Sequence, residues 1–162
     1  MHGMKTGGQW GIKFGFKYLL ESNNSHYIVK IIRIYWVEIM RCALIVEDEP
    51  QIRTLVGIVL EAAGYGVLEA ANGMDALDII RKRLEPFDLI ILDIRMPQMD
   101  GFEFLYRLRR HERSLTPVLV LTAHEDACEK ARDYGADGCL SKPFDRKQLI
   151  ETINHLVTSP IM

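Results

Sequence analysis

A chain of 162 residues with a formal net charge of −2 and 48% hydrophobic residues has the composition of one ordinary globular domain, long enough to bury a sizeable core. It shows no basic excess of the kind that draws proteins to nucleic acid, and no apolar run approaches the roughly 20 residues of a membrane-spanning helix. Cys42, Cys128 and Cys139 lack metal-ligand spacing and sit in strand-like and helix-like segments, so reduced, largely buried thiols in a cytoplasmic protein are expected.

Residues 1–39 differ from the rest of the chain. They carry five Lys or Arg against two acids, whereas residues 40–162 carry fifteen against twenty. Seven of the fourteen aromatics lie in this stretch, so its composition marks it as a separate segment. A signal peptide is disfavoured, because the apolar run Tyr27 to Val37 is interrupted by Lys30 and Arg33 and has no small-residue cleavage site. A basic amphipathic segment on a membrane or partner is a weaker alternative, since the run is short and rich in β-branched residues. The favoured reading is an extension that is poorly ordered or absent from the native protein, with the working domain spanning 40–158 and a short tail at 159–162. Met40 stands directly before the first strand-like run.

From Met40 the chain alternates strand and helix five times. Cys42 to Val46 is a short apolar run, as expected of a strand buried on both faces. Pro50 to Ala63 has helical periodicity at Ile52, Leu55, Val56, Val59 and Leu60, with Pro50 in the first turn and Gly64 placed to end it. Val67 to Ala70 predicts a weaker strand. Asn72 can cap a helix holding Ala76, Leu77, Ile79, Ile80 and Leu84. Leu89 to Leu92 is the strongest strand signal. Asp100 can cap a helix from Gly101 to about Arg110, with Phe102, Leu105 and Leu108 inward.

Val118 to Leu121 predicts the fourth strand. Glu125 to Tyr134 predicts the fourth helix, closed by Gly135 and poor in large apolar residues, hence the least firmly packed. Gly138 to Leu140 predicts the fifth strand, and Asp145 can cap a last helix with Leu149, Ile150, Ile153 and Leu156 inward. Five βα units in about 120 residues imply an α/β fold, a parallel sheet covered by helices on both faces.

The chemistry lies at the strand ends. In an open parallel sheet the carboxyl ends of the strands share one crevice. Glu47-Asp48, Asp93, Thr122-Ala123 and Lys142-Pro143 each fall just past an apolar run. Three neighbouring carboxylates repel, and a hard divalent cation such as Mg²⁺, which takes oxygen ligands, removes that cost. For Glu47 and Asp48 in isolation, negative charge at a helix N-terminus is an adequate explanation. Asp93 ends the most apolar strand, where a charge needs a reason, and a carboxylate can serve as a nucleophile for phosphoryl capture. Thr122 and Lys142 are each commonplace alone.

Together these pieces resemble the receiver domain of two-component response regulators over residues 41–157. The matches are Val46-Glu47-Asp48-Glu49-Pro50, Asp93-Ile94-Arg95-Met96-Pro97 with Asp100-Gly101, Leu121-Thr122-Ala123, Gly135-Ala136-Asp137 and Lys142-Pro143-Phe144. The resemblance implies a flavodoxin-like three-layer (βα)5 sandwich with strand order 2-1-3-4-5. It implies phosphorylation of Asp93 by a histidine kinase or phosphotransfer protein. It further implies Mg²⁺ bound by Asp48, by Glu47 mainly through water, by Asp93 and by the Arg95 backbone carbonyl. Thr122, the Ala123 N–H and Lys142 would receive phosphoryl oxygens, and the Lys142-Pro143 bond would be cis.

One position departs from the family. An aromatic usually stands three residues before the lysine, and here it is Cys139. Coupling from Thr122 outward is therefore expected to be weak or rerouted through the fourth helix. Arg95 and His124 sit where side chains could gate water. Only Thr158 to Met162 follow the last helix, so a single-domain regulator acting through a protein partner is expected, with no nucleic-acid contact. An aspartate-nucleophile phosphatase would want an acid where Arg95 stands. A flavin module would want a phosphate-binding loop where Glu47-Asp48-Glu49 stands. A pseudo-receiver would lack some of Asp93, Thr122 or Lys142.

Overall fold

The computed structural model describes residues 41–124 and 126–158. The expectations for 1–39 and 159–162 lie outside the described residues. Among those described, β1 (Cys42–Val46), α1 (Pro50–Ala62), β2 (Gly66–Ala70), α2 (Gly73–Lys82) and β3 (Leu89–Asp93) are followed by α3 (Gly101–Arg110), β4 (Val118–Thr122), α4 (Asp126–Asp133), β5 (Gly138–Ser141) and α5 (Arg146–Thr158). All strand pairs are parallel and the sheet order is β2-β1-β3-β4-β5. No helix among the described residues is long and apolar enough to cross a membrane.

The period-2 alternation of the strands sorts the core into two layers. Leu44, Val46, Ile90, Leu92, Val118 and Val120 face α2 and α3 through Ala76, Leu77, Phe104, Leu105 and Leu108, with Ala131 of α4 in the same layer. Ala43, Ile45, Leu89, Ile91, Leu119 and Leu121 face α1 and α5 through Val56, Leu60, Leu149 and Ile153. Strands β3 and β4 are buried along their whole length, so nothing in them is polar until the last residue, Asp93 or Thr122.

The helix ends obey the capping chemistry read from the chain. Asn72 accepts from the Asp75 N–H at 2.9 Å, Asp100 from Glu103 N–H at 2.8 Å and Asp145 from Gln148 N–H at 2.8 Å. Gly64 and Gly135 take positive φ at the ends of α1 and α4.

Three packing expectations are corrected. Phe104 joins Gly101, Leu105 and Leu108 on the fully buried face of α3, because burial runs along a stripe at i, i+3, i+4 and i+7 counted from Gly101, while Phe102 is only partly buried against the same layer. Phe102 lies on the flank, its ring centroid 5.5 Å from that of Tyr134. Leu84 falls beyond the end of α2 and is 81% exposed, and Leu55 of α1 is exposed as well. The expectation of three free thiols also fails. Cys128 on α4 and Cys139 on β5 form a disulfide with Cα atoms 5.6 Å apart, and only Cys42 is free. The cause is the turn from α4 into β5, which lays the helix across its strand and brings a pair eleven residues apart within disulfide reach.

At the end of the sheet remote from Asp93, one guanidinium collects several connections. Arg109 at the end of α3 donates to the carbonyls of Ser114 (2.8 Å), Thr116 (2.9 Å) and Gly135 (2.9 Å), and to Asp137 Oδ2 (2.8 Å). Asp137 Oδ2 also accepts from the Val118 N–H.

Candidate functional site

Register brings the polar ends together. Val46 pairs with Leu92, so Glu47 and Asp93 stand level one step further on, and Asp93 itself pairs with Leu121. Thr122 pairs with Ser141, which leaves Lys142 as the first residue past β5. Its N–H donates to the Thr122 carbonyl at 2.7 Å, which carries the parallel ladder one residue beyond the strand.

Lys142 then reaches across the edge. Its Nζ donates to Glu47 Oε2 and to Asp93 Oδ1, both at 2.8 Å. The other Asp93 oxygen, Oδ2, accepts from the Arg95 N–H at 2.7 Å. With both oxygens engaged, the plane of the Asp93 carboxylate is fixed by neighbours that are themselves fixed. Glu47 and Asp93 are buried and Asp48 is half-buried, and each offers a carboxylate oxygen within 4.8 Å of the others. Three carboxylates against one ammonium leave a net negative pocket, and oxygen donors so spaced suit a hard cation such as Mg²⁺.

Burial pushes the Glu47 carboxyl above its ordinary range. Its bond to Lys142 opposes the shift, and the Asp93 charge adds to it. For Lys142, burial would lower the ammonium value, yet its bonds to Asp93 and Glu47 prevail and raise it. An acid whose folded value is raised supports the fold below its unfolded value and loses that support as pH rises through the folded one. Without divalent cations, this part of the stability should fall as pH rises from the ordinary value of 4.5 through the raised value. Thermal melts with EDTA and with Mg²⁺ should diverge over that interval, and Glu47→Gln should flatten the EDTA curve. Parallel curves for wild type and variant would contradict the assignment.

Arg53 is the residue that sequence reasoning missed. Its Nη1 donates to the carbonyls of Glu47 (2.6 Å) and Asp48 (3.2 Å), while Nε reaches Glu69 Oε2 at 3.2 Å. It therefore holds the β1–α1 turn that presents both acids. A cation near a helix N-terminus opposes the helix dipole and so asks for a partner, which was the available signal.

Thr122 is buried at the end of β4, and its Oγ1 accepts from the His124 N–H at 3.2 Å. Ala123 and His124 are exposed beyond it, as is Arg95 beyond Asp93. The Lys142-Pro143 bond is cis, as expected. The structure thus gathers Glu47, Asp48, Asp93 and Lys142 in direct or near contact, and sets Thr122, Ala123 and His124 on the adjoining strand end. Cys139 is drawn instead into its bridge with Cys128.

Gly101 ties the third helix to this edge. Its N–H donates to the Ile94 carbonyl at 2.9 Å, and a Cβ there would lie 2.5 Å from the Asp93 carbonyl oxygen and 2.8 Å from the Ile94 Cα. Both obstacles are backbone and cannot rotate away. Gly101→Ala is therefore expected to cost about 2 kcal/mol by overpacking. Urea denaturation checks this, and an unchanged midpoint would refute it.

Residues 43–154 match the family model described as the response regulator receiver domain. The chain is 43% identical over 117 residues to the DNA-binding dual master transcriptional regulator RpaA of Synechocystis, covering 70% of this chain and 48% of that one. It thus spans about half the length of that relative. Among solved structures, the chemotaxis response regulator CheY4 of Vibrio cholerae is similar at 38% identity and a TM-score of 0.67, with 72% of this chain and 98% of that one covered. The receiver domain of a sensor histidine kinase from Pseudomonas aeruginosa, solved with a magnesium ion coordinated in its active site cleft, is similar at 28% identity and a TM-score of 0.66. That match covers 74% of this chain and 99% of the other. The chain belongs to the response regulator receiver-domain family, whose members are signalling domains of two-component systems.

Proposed function

We propose that this receiver domain accepts a phosphoryl group on Asp93 and passes the signal on by protein contact. The observation that carries the reading is the contact of Lys142 Nζ with both Glu47 and Asp93, each at 2.8 Å, inside a cluster of three carboxylates. Glu47, Asp48, Asp93 and the Arg95 backbone carbonyl are the groups that would hold Mg²⁺. The magnesium-bearing relative of this fold supports that assignment. When bound, the cation supplies positive charge to the oxygens of the transferring group.

The protein's own part is positioning and charge. The phosphoryl donor is a phosphohistidine of a kinase or phosphotransfer protein, or a small acyl phosphate. An Asp93 oxygen attacks phosphorus in line, the bond from phosphorus to the donor breaks, and the departing group retains the bonding pair: an imidazole takes a proton from solvent, and the carboxylate of an acyl phosphate leaves as the anion. The Lys142 ammonium neutralises one equatorial oxygen, while the Thr122 hydroxyl and the Ala123 N–H receive the others. Water later hydrolyses the acyl phosphate and restores the carboxylate, with Arg95 and His124 standing beside its approach. The output face is α4 with β5, since Ala131 is the only fully buried residue of that helix.

The test is incubation with acetyl phosphate followed by intact-mass measurement. One adduct of about 80 Da is expected with Mg²⁺ and none with EDTA. Absence of an adduct in Mg²⁺ overturns the reading.

A further inference from the structure

We propose that Cys128 and Cys139 form a reversible dithiol–disulfide site, a covalent staple that sets how firmly α4 is held on the β5 edge of the sheet.

The staple takes the place of packing that α4 lacks. The C-terminal half of α4 is anchored by the buried Ala131, by the Phe102–Tyr134 ring contact and by Lys130 Nζ 4.2 Å over the Phe102 ring. The first turn offers only the partly buried Ala127 against the core. Cys128 is the third residue of α4, so the bridge supplies the missing anchor at the helix start. Cys139 pairs with Val120, two residues before Thr122, so the staple meets the sheet beside the strand that carries the candidate site.

The pair is open to exchange. Both cysteines are half-buried rather than enclosed. Cys42 is no competitor, because it stands at the start of β1, at the opposite end of the sheet, and burial pushes its thiol value up. The chemistry is thiol–disulfide exchange with a low-molecular-weight or protein disulfide. One thiolate attacks a sulfur of that disulfide and expels a thiolate, giving a mixed disulfide. The second cysteine thiolate then displaces the remaining thiol and closes the bridge. Two electrons pass from the cysteines to the external disulfide, which leaves as two thiols carrying the protons. Excess dithiol runs the sequence backwards and frees α4.

The full chain, equilibrated with oxidised glutathione or with dithiothreitol, would be followed by intact mass and amide hydrogen exchange. A reversible loss of about 2 Da is expected on oxidation. Exchange across residues 126–133 should be at least about 10-fold faster in the reduced form, with the amides of β1 and β3 unchanged. C128S/C139S should exchange like the reduced protein and ignore dithiothreitol, while C42S should behave as wild type. A stable glutathione adduct on one cysteine, no mass change, or equal exchange of α4 in both states each overturns the proposal. None of these readouts involves phosphorylation, so the staple and the Asp93 reading stand or fall separately.

Discussion

Asp93→Asn is expected to take up no phosphoryl group from acetyl phosphate and Mg²⁺, a loss of at least about 100-fold, because the amide oxygen is a far weaker nucleophile than a carboxylate. The replacement is nearly isosteric and can keep an oxygen facing the Arg95 N–H, which Asp93 Oδ2 accepts at 2.7 Å. The fold should survive, the Lys142 ammonium keeping Glu47 Oε2 at 2.8 Å although the new amide nitrogen cannot accept from it as Asp93 Oδ1 does. Indeed the Asp93 charge is one of the causes that raise Glu47. Its removal should let Glu47 ionise at lower pH and should weaken the stabilising response to Mg²⁺. A variant with a normal melt and no adduct is the expected result. An undiminished adduct would move the acceptor elsewhere, and peptide mapping would find it.

Lys142→Met is expected to slow phosphoryl uptake by about 10²–10³-fold, the usual penalty for losing one charge-stabilising donor at a transferring group. The nucleophile is still present, so the reaction survives at a reduced rate. Stability should fall too, by about 3 kcal/mol at neutral pH without Mg²⁺, since two buried carboxylates lose the ammonium between them. The pH dependence separates this from simple loss of packing. The raised value of Lys142 means its support is complete below 10.5 and is lost only as pH rises above it. Wild type therefore has that support in full at neutral pH and the variant has none. The variant should recover stability on acidification, as Glu47 takes a proton. A deficit that stays constant with pH would refute the electrostatic account. Lys142→Arg is no safe control, since a planar fork cannot place one donor between two carboxylates as a compact ammonium does.

The site was legible because its residues announce themselves by contrast. Strands buried on both faces tolerate no polar residue, so the first polar residue after each run marks the crevice. That logic located Glu47, Asp93 and Thr122, whereas Lys142 follows Ser141 on the half-buried β5 and was marked by Pro143 after it. The register sets Glu47 level with Asp93, with Thr122 one residue and Lys142 two residues further along. The caps at Asn72, Asp100 and Asp145 were legible for a similar reason, since each meets its need within three residues. Arg53 and the Cys128–Cys139 bridge were not, because their partners are chosen by a turn and by a helix folding back on its strand. Phe104 was lost to phase: an error of two residues in a helix turns a side chain through about 200°.

Arg109 gives α4 a mechanical character. Its Nε holds the Gly135 carbonyl just past the C-terminal end of that helix, and its Nη2 holds Asp137 just before β5. Added bulk at Gly135 would strike the same side chain, since a Cβ there would lie 2.9 Å from Arg109 Cγ. That end of α4 is thus a fulcrum. The Cys128–Cys139 bridge holds the other end, so opening it would leave α4 anchored chiefly at Arg109, with its travel greatest at Asp126, the tip nearest Thr122. A shift at the Thr122 end would then swing the outer surface of α4, with Arg109 as the pivot about which it turns.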